Sequence, residues 1–360
     1  MEAMTETLAR PARHRHTSEF TDLMATIKQK GLLRRSYGYY IAMMVLLPSL
    51  VVGLGAVSLR LGDSWWQLLV AVGLALVFTQ FGFLGHDAAH RQIFNSAKAN
   101  EWAALVIANL FVGLGIGWWK NKHTRHHAGP NKIGVDPDIE TGAVTFHSRG
   151  IEEKTTALGR WASRNQGLFF FPLVSLVGLQ MHVNSYKHLM ARGKVKNRAI
   201  ELVLLTVRHV ALIAFVFSVM SPLIAACFLV VQVLVFGFYL GMAFAPNHIG
   251  RPVVPENTKV DFLRRQVIMS RNISGGPVVS VLMGGLNYQI EHHLFPSMSR
   301  TNLARTAPIV REYCAEKGID YHETTLWGAL VEVDEYISKV GTGAIDDIWT
   351  CPLASSMGRC

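Results

Sequence analysis

Seven of the fifteen histidines in this chain fall into three short clusters. They are His86-Asp87-Ala88-Ala89-His90, His123-Thr124-Arg125-His126-His127 and Gln289-Ile290-Glu291-His292-His293. On a helix, residues three and four apart share a face, so each cluster aims its imidazoles at one spot. An eighth imidazole, His248, follows directly on a long apolar run in Pro246-Asn247-His248. Eight imidazoles exceed what one ion uses, which predicts two metals. A nitrogen donor set suits iron, copper, zinc or nickel and excludes magnesium or calcium, and the clusters hold no thiolate or thioether for a soft-ligand site. Neutral imidazoles leave the metal charge uncompensated, so carboxylates are expected to orient the ring N–H groups. Asp87 and Glu291 within the clusters, and Asp136-Pro137-Asp138 after the second, are the candidates.

Such a centre needs long elements to carry it. Tyr39–Leu59 and Trp65–Gly85 each run without a charge for ~31 Å as a helix, enough to cross a bilayer. Residues 202–245 are too long for one crossing and break at Ser221-Pro222. The expected fold is therefore all-α and integral to a membrane, with four transmembrane helices in two hairpins, 37–85 and 201–245. A cytosolic helical cap, 86–200 and 246–345, holds the metal site between an N-terminal segment, 1–36, and a C-terminal tail, 346–360. Residues 1–20 and 346–360 read as mobile tails.

Trp102–Trp119 and Gly167–Val183 are of borderline length for a crossing. If the first crossed, His90 and His123 would stand roughly 30 Å apart, whereas ligands must converge within about 2 to 2.3 Å of a metal. Both segments are expected at the cap-side interface, with Trp102, Trp118 and Trp119 as anchors.

Charge sets the orientation. With two hairpins, 33 of the 35 Lys and Arg residues fall on one side, leaving Arg60 and Arg208. The positive-inside rule then places both termini and all three clusters in the cytoplasm. No secretory signal is visible in the polar, basic first 36 residues. The four cysteines (Cys227, Cys314, Cys351, Cys360) form no C-x-x-C pair, which suits a reducing compartment. The formal charge of +10 suits lipid head groups or an acidic redox partner, and no nucleic-acid motif is present. A histidine-only centre at a membrane face is suited to activating dioxygen against a lipid C–H bond. Electrons must come from outside, because no flavin or haem motif is present.

At this point the residues resemble a known family, the membrane fatty acid desaturases, whose H-x₃₋₄-H, H-x₂-H-H and [H/Q]-x₂-H-H boxes surround a di-iron centre. Gly117-Trp118-Trp119-Lys120-x-Lys122-His123, Asn131 with Asp136-Pro137-Asp138, and Gly284-Gly285-Leu286-Asn287-Tyr288-Gln289 running to Phe295-Pro296 resemble the front-end subgroup. The resemblance covers roughly residues 37 to 330. It implies a mushroom-shaped fold with an acyl tunnel entering the cap, and a bound pair of iron ions (zinc can be misloaded on overexpression). The implied ligands are His86, His90, His123, His126, His127, His248, His292 and His293. Gln289 stands where some relatives carry a ligating histidine, so weak or water-mediated coordination is expected of it, with Asn247 holding such a water.

The implied reaction is insertion of a cis double bond into the acyl chain of a coenzyme A ester or phospholipid, using dioxygen and two external electrons. A hydroxylase on the same scaffold is the alternative. Many front-end relatives carry a fused haem domain marked by His-Pro-Gly-Gly; this chain has neither the motif nor room for the domain. A separate ferredoxin, small cytochrome or flavoprotein reductase is then the expected donor. A metal transporter or sensor would instead place ligands along the spans.

Other residues have plainer readings. His182 and His188 do not share a helical face and are expected against head groups or the cap. Arg208 is expected to snorkel, while His209 is left open. His14, His16, His147 and His322 read as surface residues. Gly284-Gly285 reads as a close backbone approach beside the third box. Phe81, Phe83, Trp118, Trp119 and Tyr288 could line a tunnel but are more simply packing or interfacial belt.

Overall fold

A computed structural model describes residues 18–345 and Ile348. His14, His16, Cys351, Cys360 and most of both tails lie outside the described residues. Among the described residues, four helices are long and apolar enough to cross a bilayer: Tyr37–Leu61, Gln67–Ala89, Arg198–Val219 and Pro222–His248. Each is apolar all round, the pattern of a helix in lipid or in a deep core. The second span is central, with 61% of its apolar window buried against 11% for the first. It packs on the fourth through Phe78, Phe81, Phe228 and Leu240, while Ile41, Val45, Val203 and Val207 of the outer two spans face outward. At the far end from the histidines, Ser221 N donates to Asp63 Oδ1 at 2.7 Å and ties the two hairpin turns together.

The second span runs on to Ala89 and the fourth to His248. His86 and His248 thus ride on the ends of these helices rather than beyond them, because a buried helix continues wherever its side chains remain covered. The structure also adds one element to the all-α expectation, a short parallel pair joining Asn272–Ser274 to Glu323–Thr325.

Residues 102–119 form an elbow, mostly buried from 104 to 116, rather than one straight helix. Ala97–Val106, capped by Ser96 Oγ at 3.2 Å from Ala99 N, passes into a π-helical turn at Ile107–Val112. The chain reverses at Gly113 (φ 87°) and leaves at 113° as Ile116–Ala128. Residues 166–190 are bent by 66° in the same manner.

Arg208 corrects the snorkelling expectation. It lies ten residues into the third span, ~15 Å along the helix. Its Nε donates to Phe111 O at 3.0 Å, and its guanidinium sits 4.2 Å from the Phe78 ring centroid. A carbonyl enclosed within the protein needs a partner, and here a side chain supplies it. His182 does the same for Gly113 O at 2.7 Å, within the segment expected to form the cap, and His209 packs edge-on to it. His147 and His322 are also not surface residues: His147 is buried and accepts from Gly150 N, and His322 is half-buried against Glu332 at 3.1 Å.

Candidate metal centre

Helix ends assemble the site. His86 and His90 come from the last turn and C-cap of the second span, and His248 ends the fourth. His123, His126 and His127 lie on Ile116–Ala128, and His292 and His293 on Gln289–Leu294. All eight imidazoles converge. The ring nitrogens of His86, His90, His123 and His292 lie within 4.8 Å of one another, as do those of His126, His248 and His293. His127 stands between the groups. Its Nε2 is 3.0 Å from His123 Nε2 and 3.2 Å from His292 Nε2, and its ring stacks on His293 at 4.2 Å.

These separations suit metal ligands better than hydrogen bonds. With metal–nitrogen bonds of ~2.1 Å, neighbouring ligands stand ~3.0 Å apart on an octahedron and ~3.4 Å on a tetrahedron. His90 and His123 approach to 2.8 Å, and His126 and His248 to 3.3 Å, through Nε2 in every case. His126 Nδ1 bonds Asp136 at 3.0 Å, and His248 Nδ1 bonds Met269 O at 2.9 Å. Each Nδ1 therefore carries a proton, which leaves the two Nε2 atoms facing each other across a gap that a metal ion fits. His86 Nε2 and His293 Nε2 are buried without a partner among the described residues, as expected of donors reserved for an ion. The residues present fit a metal.

A shell of polar groups sets the rings. Asp136 accepts from His126 Nδ1, Asn131 N and Asp138 N, using both oxygens. Asp138 Oδ2 lies 3.3 Å from the same Nδ1, and its carboxylate pairs with Lys122. Asp87 Oδ1 is 3.4 Å from His86 Nδ1, while Oδ2 accepts from Arg300 Nε at 2.7 Å. His293 Nδ1 bonds Gln266 Oε1 at 2.9 Å, and Gln266 Nε2 donates to His127 O. Glu291 does not orient a ring. Its carboxylate accepts from Asn272 Nδ2 at 2.7 Å and Tyr321 OH at 2.9 Å, because on its short helix it points away from the neighbouring histidines.

Gln289 is constrained as well. Asn247 Nδ2 donates to Ala243 O and to Gln289 Oε1, both at 3.1 Å. That leaves Gln289 Nε2 facing His248 Nε2 at 2.9 Å. The amide presents a donor there, where coordination would need its oxygen.

Burial lowers the proton affinity of His90, His123, His127, His292 and His293 well below the usual range, and repulsion among the rings adds to it. These imidazoles are neutral at pH 7, with lone pairs free for a cation. Burial acts on His126 in the same direction, but Asp136 outweighs it and the net shift is upward. Burial raises the Asp136 carboxyl too, yet His126 prevails and holds it at about 2.

Gln266, Arg300 and the Met269 carbonyl carried no signal in the sequence, being single polar groups far from the boxes. Asn131 belonged to a recognised pattern, and its role is now explicit. In a left-handed conformation (φ 52°) it donates from N to Asp136 Oδ2 and from Nδ2 to His248 O at 3.0 Å, joining the two halves of the site.

A cavity of about 490 Å³ opens from His123, His126 and His248 and runs between apolar walls that include Val177, Met181, Leu240 and Phe244. Lys122, Asp138 and Glu140 also line it. Trp119 borders it and stacks on His123 at 4.3 Å. Phe83 serves packing instead, beneath Gly284, where a Cβ would come within 2.2 Å of its ring. Gly284 and Gly285 both have positive φ (60° and 78°), so the close approach expected of them is present.

The fatty acid desaturase family profile matches residues 63–325, well over half of the chain. The chain belongs to the fatty acid desaturase family. It is 29% identical over 343 residues to an acyl-lipid (9-3)-desaturase of Physcomitrium patens, covering 91% of this chain and 63% of that protein. An acyl-lipid (9-3)-desaturase of Borago officinalis is 30% identical over 270 residues (69% and 58%), and a Delta(5) fatty acid desaturase of Caenorhabditis elegans is 29% identical over 335 residues (88% and 72%). The chain thus spans about three fifths of the length of the moss and borage proteins. Similarity to relatives named for Delta(5), Delta(6) and Delta(8) positions places this desaturase-family chain in the front-end subgroup, as its glutamine-opened third box implied.

Proposed function

We propose that this protein is an oxygen-dependent fatty acyl desaturase that inserts a cis double bond beside two iron ions. The observation that carries the proposal is the convergence of eight imidazoles, three of which (His123, His126 and His248) line a largely apolar-walled cavity of about 490 Å³. His86, His90, His123 and His292, with His127 beside them, would hold one ion, and His126, His248 and His293 the other. Iron held there supplies the oxidation of an acyl methylene pair by dioxygen.

The chain's own part is binding, orientation and exclusion of water. Val177, Met181, Leu240 and Phe244 bury the acyl chain and shield the reacting carbons. Asp136, Gln266 and the Met269 carbonyl hold Nδ1 protons, which fixes each ring with Nε2 inward. Gln289 presents an N–H at the edge of the second group, held there by Asn247. The carrier would be coenzyme A or a phospholipid, and a ferredoxin, small cytochrome or flavoprotein reductase the donor. Residues 86–200 and 246–345 would form the cytosolic cap, with both termini on that side, as the Lys and Arg distribution supports.

The test is expression of the full chain with supplied saturated and monounsaturated fatty acids, followed by mass analysis of the acyl products. Products two mass units lighter that disappear in His123→Ala support the proposal. Products heavier by one oxygen favour the hydroxylase alternative, and no product with a loaded metal centre sinks both.

A further inference from the structure

The histidine centre leaves unused a second, separate cavity of about 410 Å³ in which positive charge is concentrated. Lys30, Arg34, Arg35 and Arg305 line it together with Ser36 and Asn302, and no carboxylate does. None of these four cations makes an ion pair with a described residue, although Arg251, Arg264, Arg271, Arg300 and Arg311 all do. Arg34, Lys30 and Arg305 are exposed, and Arg35 spends one Nη on Ser297 O at 2.6 Å. The first turn of the long helix Arg300–Glu316 forms one wall, through Asn302, and adds the positive end of its dipole.

The location narrows the ligand. Ser36 lies in the pocket and Tyr37 opens the first span, whose exposed Ile41 and Val45 face lipid. The pocket therefore sits where the chain enters the bilayer, at the same end of the bundle as the histidines. It shares no lining residue with the apolar cavity, so it is not the mouth of the acyl site. Its floor is rigid. Ser36 Oγ bonds Thr301 Oγ1 at 2.6 Å, Ser36 N donates to Ser299 Oγ, and Asn302 Nδ2 donates to Leu32 O and Arg34 O. Four unpaired cations on a preformed floor at a lipid surface cost nothing to assemble when an anion arrives, whereas without one they repel each other.

We propose that this pocket binds the phosphate of an anionic phospholipid from the surrounding leaflet, as a structural lipid site distinct from the substrate site. Arg34 and Arg305 grip the phosphate oxygens as planar, multidentate donors, and Lys30 adds a third charge. Arg35 and Ser299 both bond Gln92 O, two residues after His90, so an occupied pocket also braces the end of the first histidine cluster.

The test uses the full chain purified in a neutral detergent. Binding of phosphatidic acid, phosphatidylglycerol, phosphatidylcholine and inorganic phosphate is followed by native mass spectrometry and by the thermal unfolding midpoint. The expected result is saturable binding of one phosphatidic acid or phosphatidylglycerol with a raised midpoint, and neither effect from phosphatidylcholine. Arg34→Gln combined with Arg305→Gln should weaken that binding about 30-fold, or about 2 kcal/mol at 1.4 kcal/mol per tenfold. Arg192→Gln with Lys194→Gln, exposed cations elsewhere, should leave it within about threefold. If the double variant is unfolded before lipid is added, Lys30→Gln alone decides, with about a fivefold loss expected. Equal binding of phosphatidylcholine, or unchanged affinity in the pocket variants, overturns the proposal. Displacement of the lipid by an equal concentration of inorganic phosphate also overturns it, by making the occupant a soluble phosphate.

Discussion

Asp136→Asn tests whether the ring-orienting shell sets metal affinity. The carboxylate accepts from His126 Nδ1 at 3.0 Å, Asn131 N at 2.8 Å and Asp138 N at 2.9 Å. An asparagine has one acceptor oxygen, so its amide NH₂ must face at least one of these buried donors. A donor left unsatisfied costs about 1–3 kcal/mol. Loss of an outer partner to a ligating histidine typically weakens metal binding 10- to 100-fold, about 1.4–2.7 kcal/mol, so the two routes agree. The assay is equilibrium loading of the purified protein with graded metal, with bound metal read by plasma emission. The proposal requires two metals per chain in the parent. In the variant, filling of the His126, His248 and His293 group should need 10- to 100-fold more metal, while the other group is unchanged. Removing the charge also lowers the proton affinity of His126, so the deficit should shrink as pH falls from 8 to 6. Retention of both metals within about threefold at pH 8, or loss of both together, would refute the reasoning.

Gly284→Ala should destabilise by more than about 2 kcal/mol, because its φ is 60° and a Cβ would meet the Phe83 ring at 2.2 Å. An unchanged unfolding midpoint would contradict that contact. Arg208→Leu should leave Phe111 O without that partner at a cost of about 1–3 kcal/mol, seen as faster amide exchange over residues 107–113. Protection equal to the parent's would show that the elbow does not depend on it. Burial holds the Glu291 carboxyl at about 7, against an ordinary 4.5, so the fold favours its neutral form. That contribution is complete below about pH 4.5 and is lost as pH rises through 7. In metal-free protein the loss is about 3 kcal/mol, and Glu291→Gln should flatten the unfolding midpoint between pH 5 and 8. The same slope in parent and variant would remove Glu291 as its source.

The sequence made the boxes legible because helical spacing and residue type carry the same message, and the structure brings all eight histidines together. The spans were equally plain, since an uncharged run of about 30 Å has few other uses. The elbow at Ile107–Val112 was not legible. Its apolar composition is that of any interfacial helix, and the π-turn bonds Arg208, a residue 97 positions away. Gln266 and Arg300 were hidden for a related reason: a single polar residue on an amphipathic helix signals nothing until tertiary packing shows what it meets. Glu291 misled because proximity in sequence to two ligands says nothing about direction on a six-residue helix.

The elbow bears on how the protein is made. At about 5–20 residues per second, synthesis of the 97 residues between Phe111 and Arg208 takes ~5–20 s. During that interval Phe111 O lacks the partner that Arg208 gives it. The elbow can therefore complete its contacts only after the third span has emerged. The helix that follows it, with His123, His126 and His127, waits too, and His292 and His293 emerge later still. The two donor groups are complete only when nearly all of the chain has been made, so any ion must be delivered to a finished protein.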